Sequence, residues 1–288
     1  MTPRSFPAEF AASRIALAGL ALLGLMLLAA LLAPLISPQN PYDLAQLDLL
    51  DSRLPPGSRS TAGGTYWLGT DDQGRDMLSA ILYGLRTSVA VGVASTLCGL
   101  AIGVSLGLAA AWFGGWADSL IMRLAELQLS FPSILIALIL LAVLGQGLDK
   151  IIVALIAVQW AYYARTARAV ALVERRKEYV DAAIALALSH GRILFRHLLP
   201  NCLPPLIVVA AVQVAAAITL EATLSFLGLG LPITEPSLGL LISNGFTYLL
   251  SGRYWISVFP GIALLLAVAG INLVADRLRE ILDPRSRR

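Results

Sequence analysis

Residues 15–36, 87–112 and 127–147 each run on without a single charged side chain. A helix needs about 20 apolar residues to cross the ~30 Å hydrocarbon layer of a bilayer. Lipid offers no partner to a backbone N–H or C=O, so such blocks must close their hydrogen bonds on themselves, as helices. The whole chain leans the same way. Of 288 residues 58% are hydrophobic and 14% charged, against about 25% charged in soluble domains. The pattern reads as an all-α polytopic membrane protein with six transmembrane helices, at about 15–36, 87–112, 124–144, 151–172, 203–227 and 254–275. The first block is longer than the 7–15-residue apolar core of a signal peptide, so it is read as a retained helix. The organisation expected is a cytoplasmic N-terminus (1–14), a first helix (15–36), an outer connection (37–86), a five-helix core (87–275) with a cytoplasmic segment (173–202), and a tail (276–288).

Basic residues set the orientation. Arg4 and Arg14 precede the first span. Arg175, Arg176, Lys177, Arg192 and Arg196 fall between the fourth and fifth, and Arg277, Arg279, Arg285, Arg287 and Arg288 follow the sixth. With six spans these regions share one side, which places both termini in the cytoplasm. The connection 37–86 is richer in aspartate and broken by Pro38, Pro41, Pro55, Pro56 and Gly57, so it is expected outside, as a loop on the mouth of the bundle. The basic residues form no stripe on a soluble domain, which argues against a nucleic-acid partner.

Chemistry within the chain is constrained by what it lacks. A phosphate-cradling loop needs Gly-x-x-x-x-Gly-Lys-Ser/Thr, and neither lysine, Lys150 or Lys177, follows a glycine. His190 and His197 lie in one Arg-rich stretch and Cys98 and Cys202 fit no metal spacing. No catalytic residue, metal site or bound cofactor is expected; the chain is read as a non-enzyme.

The cytoplasmic segment 178–201 reads EYVDAAIALALSHGRILFRHLLPN. Its Ala- and Leu-rich start favours a helix, with Asp181 near the positive end of the helix dipole. Ala182, Ala183 and Ala187 are expected to leave one flat apolar surface, Ser189–Gly191 to end the helix, and Pro200 to stop a second one that carries Arg192 and Arg196. From the residues alone, two readings stand: an interfacial helix on lipid headgroups, or a rigid plug for a partner's groove.

This segment resembles the EAA loop of binding-protein-dependent ABC import permeases, a pattern of Glu-Ala-Ala, three residues, Gly, then Leu-Pro at a fixed distance. Asp181-Ala182-Ala183 takes the opening place, Ala187 stands where Gly is usual, and Leu199-Pro200 falls at the expected spacing. Three further motifs are similar to those of the dipeptide, oligopeptide and nickel permease group. They are LGTDDQGRDMLSAILYGL at 68–85, EATLSFLGLG at 221–230 and ILDPR at 281–285. Their order resembles the C-type permease, which pairs with a longer B-type partner. The resemblance implies the type I importer permease fold in a bacterial inner membrane. It also implies a path shared with the second permease, two cytoplasmic ATPase subunits that use the ATP, and an extracytoplasmic solute-binding protein. By position it gives Tyr179, Asp181, Ala182, Ala183, Ala187, Arg192 and Pro200 to ATPase coupling. Small peptides are the expected cargo; nickel, opines or another small solute is the alternative. An ion-coupled transporter or a non-transporting scaffold is the alternative of another class.

Polar residues elsewhere have two uses each. Glu221, Gln213 and Asn272 fall inside spans, where polar groups are expensive, and are the candidates for lining the translocation path. Glu221 either lines the path or holds the fifth span by bonding Asn272 or Gln213, the second being preferred. Arg123 and Glu126, one turn apart, are expected to pair. Gly69, Thr70, Asp71, Gly74, Arg75 and Asp76 either meet the binding protein or form a turn and N-cap network that starts the second span; the network is preferred.

Overall fold

A computed structural model describes residues 6–61 and 63–282. The ILDPR ending and Arg285, Arg287, Arg288 and Arg4 lie wholly or partly outside the described residues. A short α1 (Phe6–Ala11) precedes α2 (Arg14–Ile36), which starts where the Ser13 hydroxyl accepts from the Ala16 N–H at 3.3 Å. The small residues Ala16, Gly19, Ala30 and Ala33 of α2 are buried, whereas Leu25, Leu28, Leu31 and Leu35 face outward, as suits a helix with lipid on one side. The connection that follows holds two 3-10 turns and a hairpin, β1 (Ser58–Arg59) against β2 (Thr65–Tyr66), with Ser58 opposite Tyr66. It ends at Asp76 rather than at 86, because the Asp76 carboxylate accepts from the Ser79 N–H at 2.8 Å and starts α3 (Met77–Phe113) there.

α3 has 37 residues and no proline, a rod of about 55 Å at 1.5 Å per residue. It packs along its length on α6 (Leu148–Glu174). At Gly103 and Gly107 the two backbones meet, and a Cβ at either would collide with the Trp160 or Ala164 carbonyl. Small residues at such crossings are the usual device in membranes, where tight contact replaces the hydrophobic drive.

Between them the expected third span is broken. α4 (Gly115–Leu129) and α5 (Ser133–Leu144) meet at 92°. Pro132 withholds an N–H and disfavours helix before it, so a kink becomes a corner. α4 is amphipathic and α5 wholly apolar. Arg123 and Glu126 are both exposed and not among the ion pairs of the described residues; α4 instead ties to α6 through Asp118 and Arg168, at 2.5 and 2.6 Å.

After α6 come α7 (Glu178–Ala185), α8 (His190–Arg192), a π turn (Ile193–Leu198) and α9 (Leu199–Phe226), then α10 (Leu238–Phe246) and α11 (Trp255–Leu282). Pro200 does not stop the helix: the π turn Ile193–Leu198 directly before it widens the backbone ladder, with the Leu199 N–H reaching the Leu194 carbonyl. Residues 190–226 therefore run as one apolar helix. By length and composition α2, α3, that helix and α11 are each able to cross a membrane, four among the described residues where six were expected, and the bent α4–α5 pair is apolar enough only when its two halves are taken together, as a broken span or a re-entrant loop. α6 is less apolar because of Asp149, Lys150, Arg165 and Arg168, and it packs on α3, α5 and α9. Its Gln159 is buried and bonded to Thr96 at 3.2 Å.

Gly107→Val is expected to force α3 from α6 and destabilise the protein by roughly 1–3 kcal/mol, the usual size of an overpacking penalty. Gly24→Ala in α2, where nothing lies within reach of a Cβ, is expected to be neutral or slightly stabilising. Thermal unfolding in detergent compares the two; equal midpoints would contradict the close-contact assignment.

Candidate functional site

Two regions gather the motif residues. They lie at opposite ends of α3.

At the end shared with the termini, α7 is an amphipathic peg. Val180 and Ala183, one turn apart, point into a core with Val104, Leu108, Trp112, Tyr163, Ile193 and Leu206. Asp181, Ala182, Ile184, Ala185 and Leu186 face out, Leu186 at 74% exposure. The alanines expected to form one flat surface are thus split: Ala183 is 3% exposed and belongs to the core, while Ala182 and Ala187 are on the surface. Arg192 and Pro200 are exposed too. Tyr179 donates to Glu174 at 2.9 Å, Asn201 bonds its hydroxyl, and Lys177 pairs with Glu174 at 2.6 Å. Burial and then the Glu174 carboxylate push the Tyr179 phenol up to about 12.

The peg ends before Ser189–Gly191. Ala187 has φ 52°, its N–H bonds the Ile184 carbonyl at 2.8 Å, and the Leu188 N–H bonds the Ala183 carbonyl at 3.2 Å. This is the paired-bond C-terminal cap whose left-handed residue is ordinarily glycine. The family pattern's Gly occupies that position, so the glycine has a backbone reason, and Ala187 carries the strain of the replacement.

At the other end, the signature 69–76 is folded into a turn network. The Thr70 hydroxyl donates to the Asp51 carbonyl at 2.6 Å and accepts from the Leu54 N–H at 2.7 Å. Trp255 of α11 donates to the Thr70 carbonyl at 3.2 Å. Asp71 accepts from the Gln73 and Arg75 N–H groups at 2.9 Å and from Arg75 Nε at 2.7 Å. Arg75, 1% exposed, also donates to the Ile233 carbonyl at 3.3 Å. Gly69 and Gly74 take φ of 80° and 76° against the Leu54 and Asp48 carbonyls, where a side chain would not fit. Asp51 is buried beside this network. Burial raises its carboxyl, but bonds from Tyr66, Ser60 and Thr61 outweigh that and hold it below its ordinary value. Burial and the neighbouring Asp71 charge push Asp72 the other way. The network holds α3, the α9–α10 connection and α11 together.

The three residues expected along a path do not meet. Glu221 is 0% exposed and bonds neither Asn272 nor Gln213. Its carboxylate accepts from Ser88 at 2.7 Å and Ser225 at 2.8 Å. Ser225 was legible as Glu221's neighbour one turn on; Ser88 comes from a distant element and left no sequence signal. Gln213 borders an open groove of about 590 Å³ with Tyr162, Val209 and Arg279, and Asn272 is exposed on α11. Among the described residues no three His, Cys, Asp or Glu side chains converge as a metal site requires.

Comparison with known proteins follows the same lines. A family profile described as "Binding-protein-dependent transport system inner membrane component" matches residues 99–288. A second, "N-terminal TM domain of oligopeptide transport permease C", matches residues 6–56. The chain is 40% identical to a putative peptide transport system permease protein of Brucella suis, over 93% of this chain and 86% of that one. It is 36% identical to the dipeptide transport system permease protein DppC of Haemophilus influenzae, over 96% and 92%. Among solved structures it is similar to an inward-facing MetNI methionine ABC transporter chain, at 21% identity and a TM-score of 0.57, covering 72% of this chain and 98% of that one. The fold is that of the type I importer permeases.

Arg75→Met is expected to leave Asp71 charged, buried and unpaired, which costs about 3–5 kcal/mol. Ala187→Gly is expected to relieve the left-handed alanine and stabilise the protein by about 1 kcal/mol. Unfolding midpoints in detergent check both; a lower midpoint for the glycine variant would rule out the cap.

Proposed function

We infer the role of this chain from its family: it belongs to the binding-protein-dependent transport system inner membrane components, and it is a permease subunit of a peptide importer. Small peptides as cargo rest on the names of its relatives, which favour them over nickel or opines. The chain spans the inner membrane with both termini on the cytoplasmic side. It shares the path with a second permease and takes its drive from two ATPase subunits that bind and hydrolyse the ATP. A solute-binding protein delivers peptide to the opposite face, where the 69–76 network closes the bundle. Gln213, beside the open groove, faces the path, and Glu221 holds α9 in place.

One observation carries the coupling assignment. α7 exposes Asp181, Ala182, Ile184 and Leu186 while Val180 and Ala183 root it in the core shared by α3, α6 and α9. A peg with a bare apolar outer face and a buried inner one can be held by a partner's groove and move the bundle with it. Ala183, Ala187 and Tyr179 then shape the peg, Asp181 and Ala182 meet the ATPase, and Arg192 and Pro200 flank the contact. ATP binding draws two grooves together, each carries its peg, and the bundle shifts between two packed states.

Ile184→Glu combined with Leu186→Glu is expected to weaken ATPase association at least about thirtyfold, the size of one interface hot spot of ~2 kcal/mol, and to abolish uptake. Co-purification of the ATPase subunits at the wild-type level would sink the docking assignment, and ATP turnover by the purified chain alone would contradict the division of labour.

A further inference from the structure

We propose that Trp112, with Arg175 and His190, is a joint that makes α3 follow the docking segment, a reading that rests on the coupling role of α7. The last turn of α3 is gripped from two sides. Trp112 Nε1 donates to His190 Nδ1 at 3.0 Å, with the rings edge-on at 5.7 Å. Arg175, at the end of α6, donates to the Ala111 carbonyl at 2.8 Å and lays its guanidinium over the Trp112 ring at 5.3 Å. The Ala111 carbonyl is one of the four that a helix end leaves unpaired; here a residue from another helix takes it.

The surroundings give these bonds their weight. A groove of about 490 Å³ separates the α3 end from the outer part of the docking segment, lined by Phe113, Ile184, Ala187 and Leu188 besides the joint residues. Deeper in, Trp112 packs on Val180, Ala183 and Ile193. Apolar contact is non-directional, and it lets one element slip past another. The indole N–H to imidazole bond and the Arg175 grip have direction, so they fix the register. The rod they hold is unbroken from Phe113 to Met77 and is capped at its far end by Asp76 of the turn network. A displacement of residues 178–192 at the joint therefore reaches the opposite face along α3.

The test uses the complete transporter in proteoliposomes, with a pool of labelled di- to pentapeptides and its binding protein. Trp112→Phe keeps an aromatic ring for Arg175 but removes the indole N–H together with part of the ring that packs in the core, so the two His190 variants isolate the bond itself. His190→Leu removes the acceptor, and His190→Asn offers a carbonyl oxygen in nearly the same place. Trp112→Phe and His190→Leu are expected to retain the ATPase subunits and to hydrolyse ATP close to the wild-type rate. Peptide taken up per ATP is expected to drop about tenfold, within the range of ordinary coupling free energies, and His190→Asn is expected to regain most of it. Unchanged uptake per ATP in Trp112→Phe and His190→Leu would overturn the proposal. So would an asparagine variant as defective as leucine, or loss of the ATPase subunits from Trp112→Phe. Failure of the docking reading shows separately, as ATPase retention by the Ile184 and Leu186 double variant.

Discussion

The close approach of α3 and α6 at Gly103 and Gly107 sets the spacing for the rest of the bundle. With the backbones touching, α4, α5 and α9 also pack on α6. The buried side of α6 keeps Gln159 and Tyr163 within the bundle, and Arg168 reaches Asp118 on α4. A bulkier pair at the crossing would open gaps that lipid cannot fill with specific contacts, since dispersion in a tight interface is what favours helix on helix over helix on lipid.

Several buried polar groups in this apolar bundle are met by donors or acceptors from a different element. Glu221 gathers hydroxyls from α3 and from its own helix. Asp71 and Arg75 pair inside the turn network and reach Ile233 beyond it. Such contacts are expensive to leave half made, so they fix which elements sit together. The far end of the bundle is thus bound by directional bonds. The end near the termini is bound mostly by apolar packing, with α7 rooted by two side chains and gripped at Trp112. A bundle stiff at one face and jointed at the other suits transport driven from one side.

The sequence by itself determined that the chain is a bundle of membrane helices, where most of them lie, and that a helix starts at about residue 178 in the connection between two of them. Those features are periodic or compositional, and the lipid requirement on backbone hydrogen bonds leaves few alternatives. The preferred reading of 69–76 as a turn and N-cap network was likewise within reach, because Thr, Asp and Gly at such spacings cap and turn locally. Only the tertiary structure decided that Ala183 points inward, that Pro132 makes a corner while Pro200 does no harm, and that Glu221 bonds serines instead of Asn272 or Gln213. It also placed Trp112 against His190 across 78 positions. For Ala183, Glu221 and Trp112 the deciding contact comes from an element far along the chain, and local propensity holds no record of which distant residue will arrive.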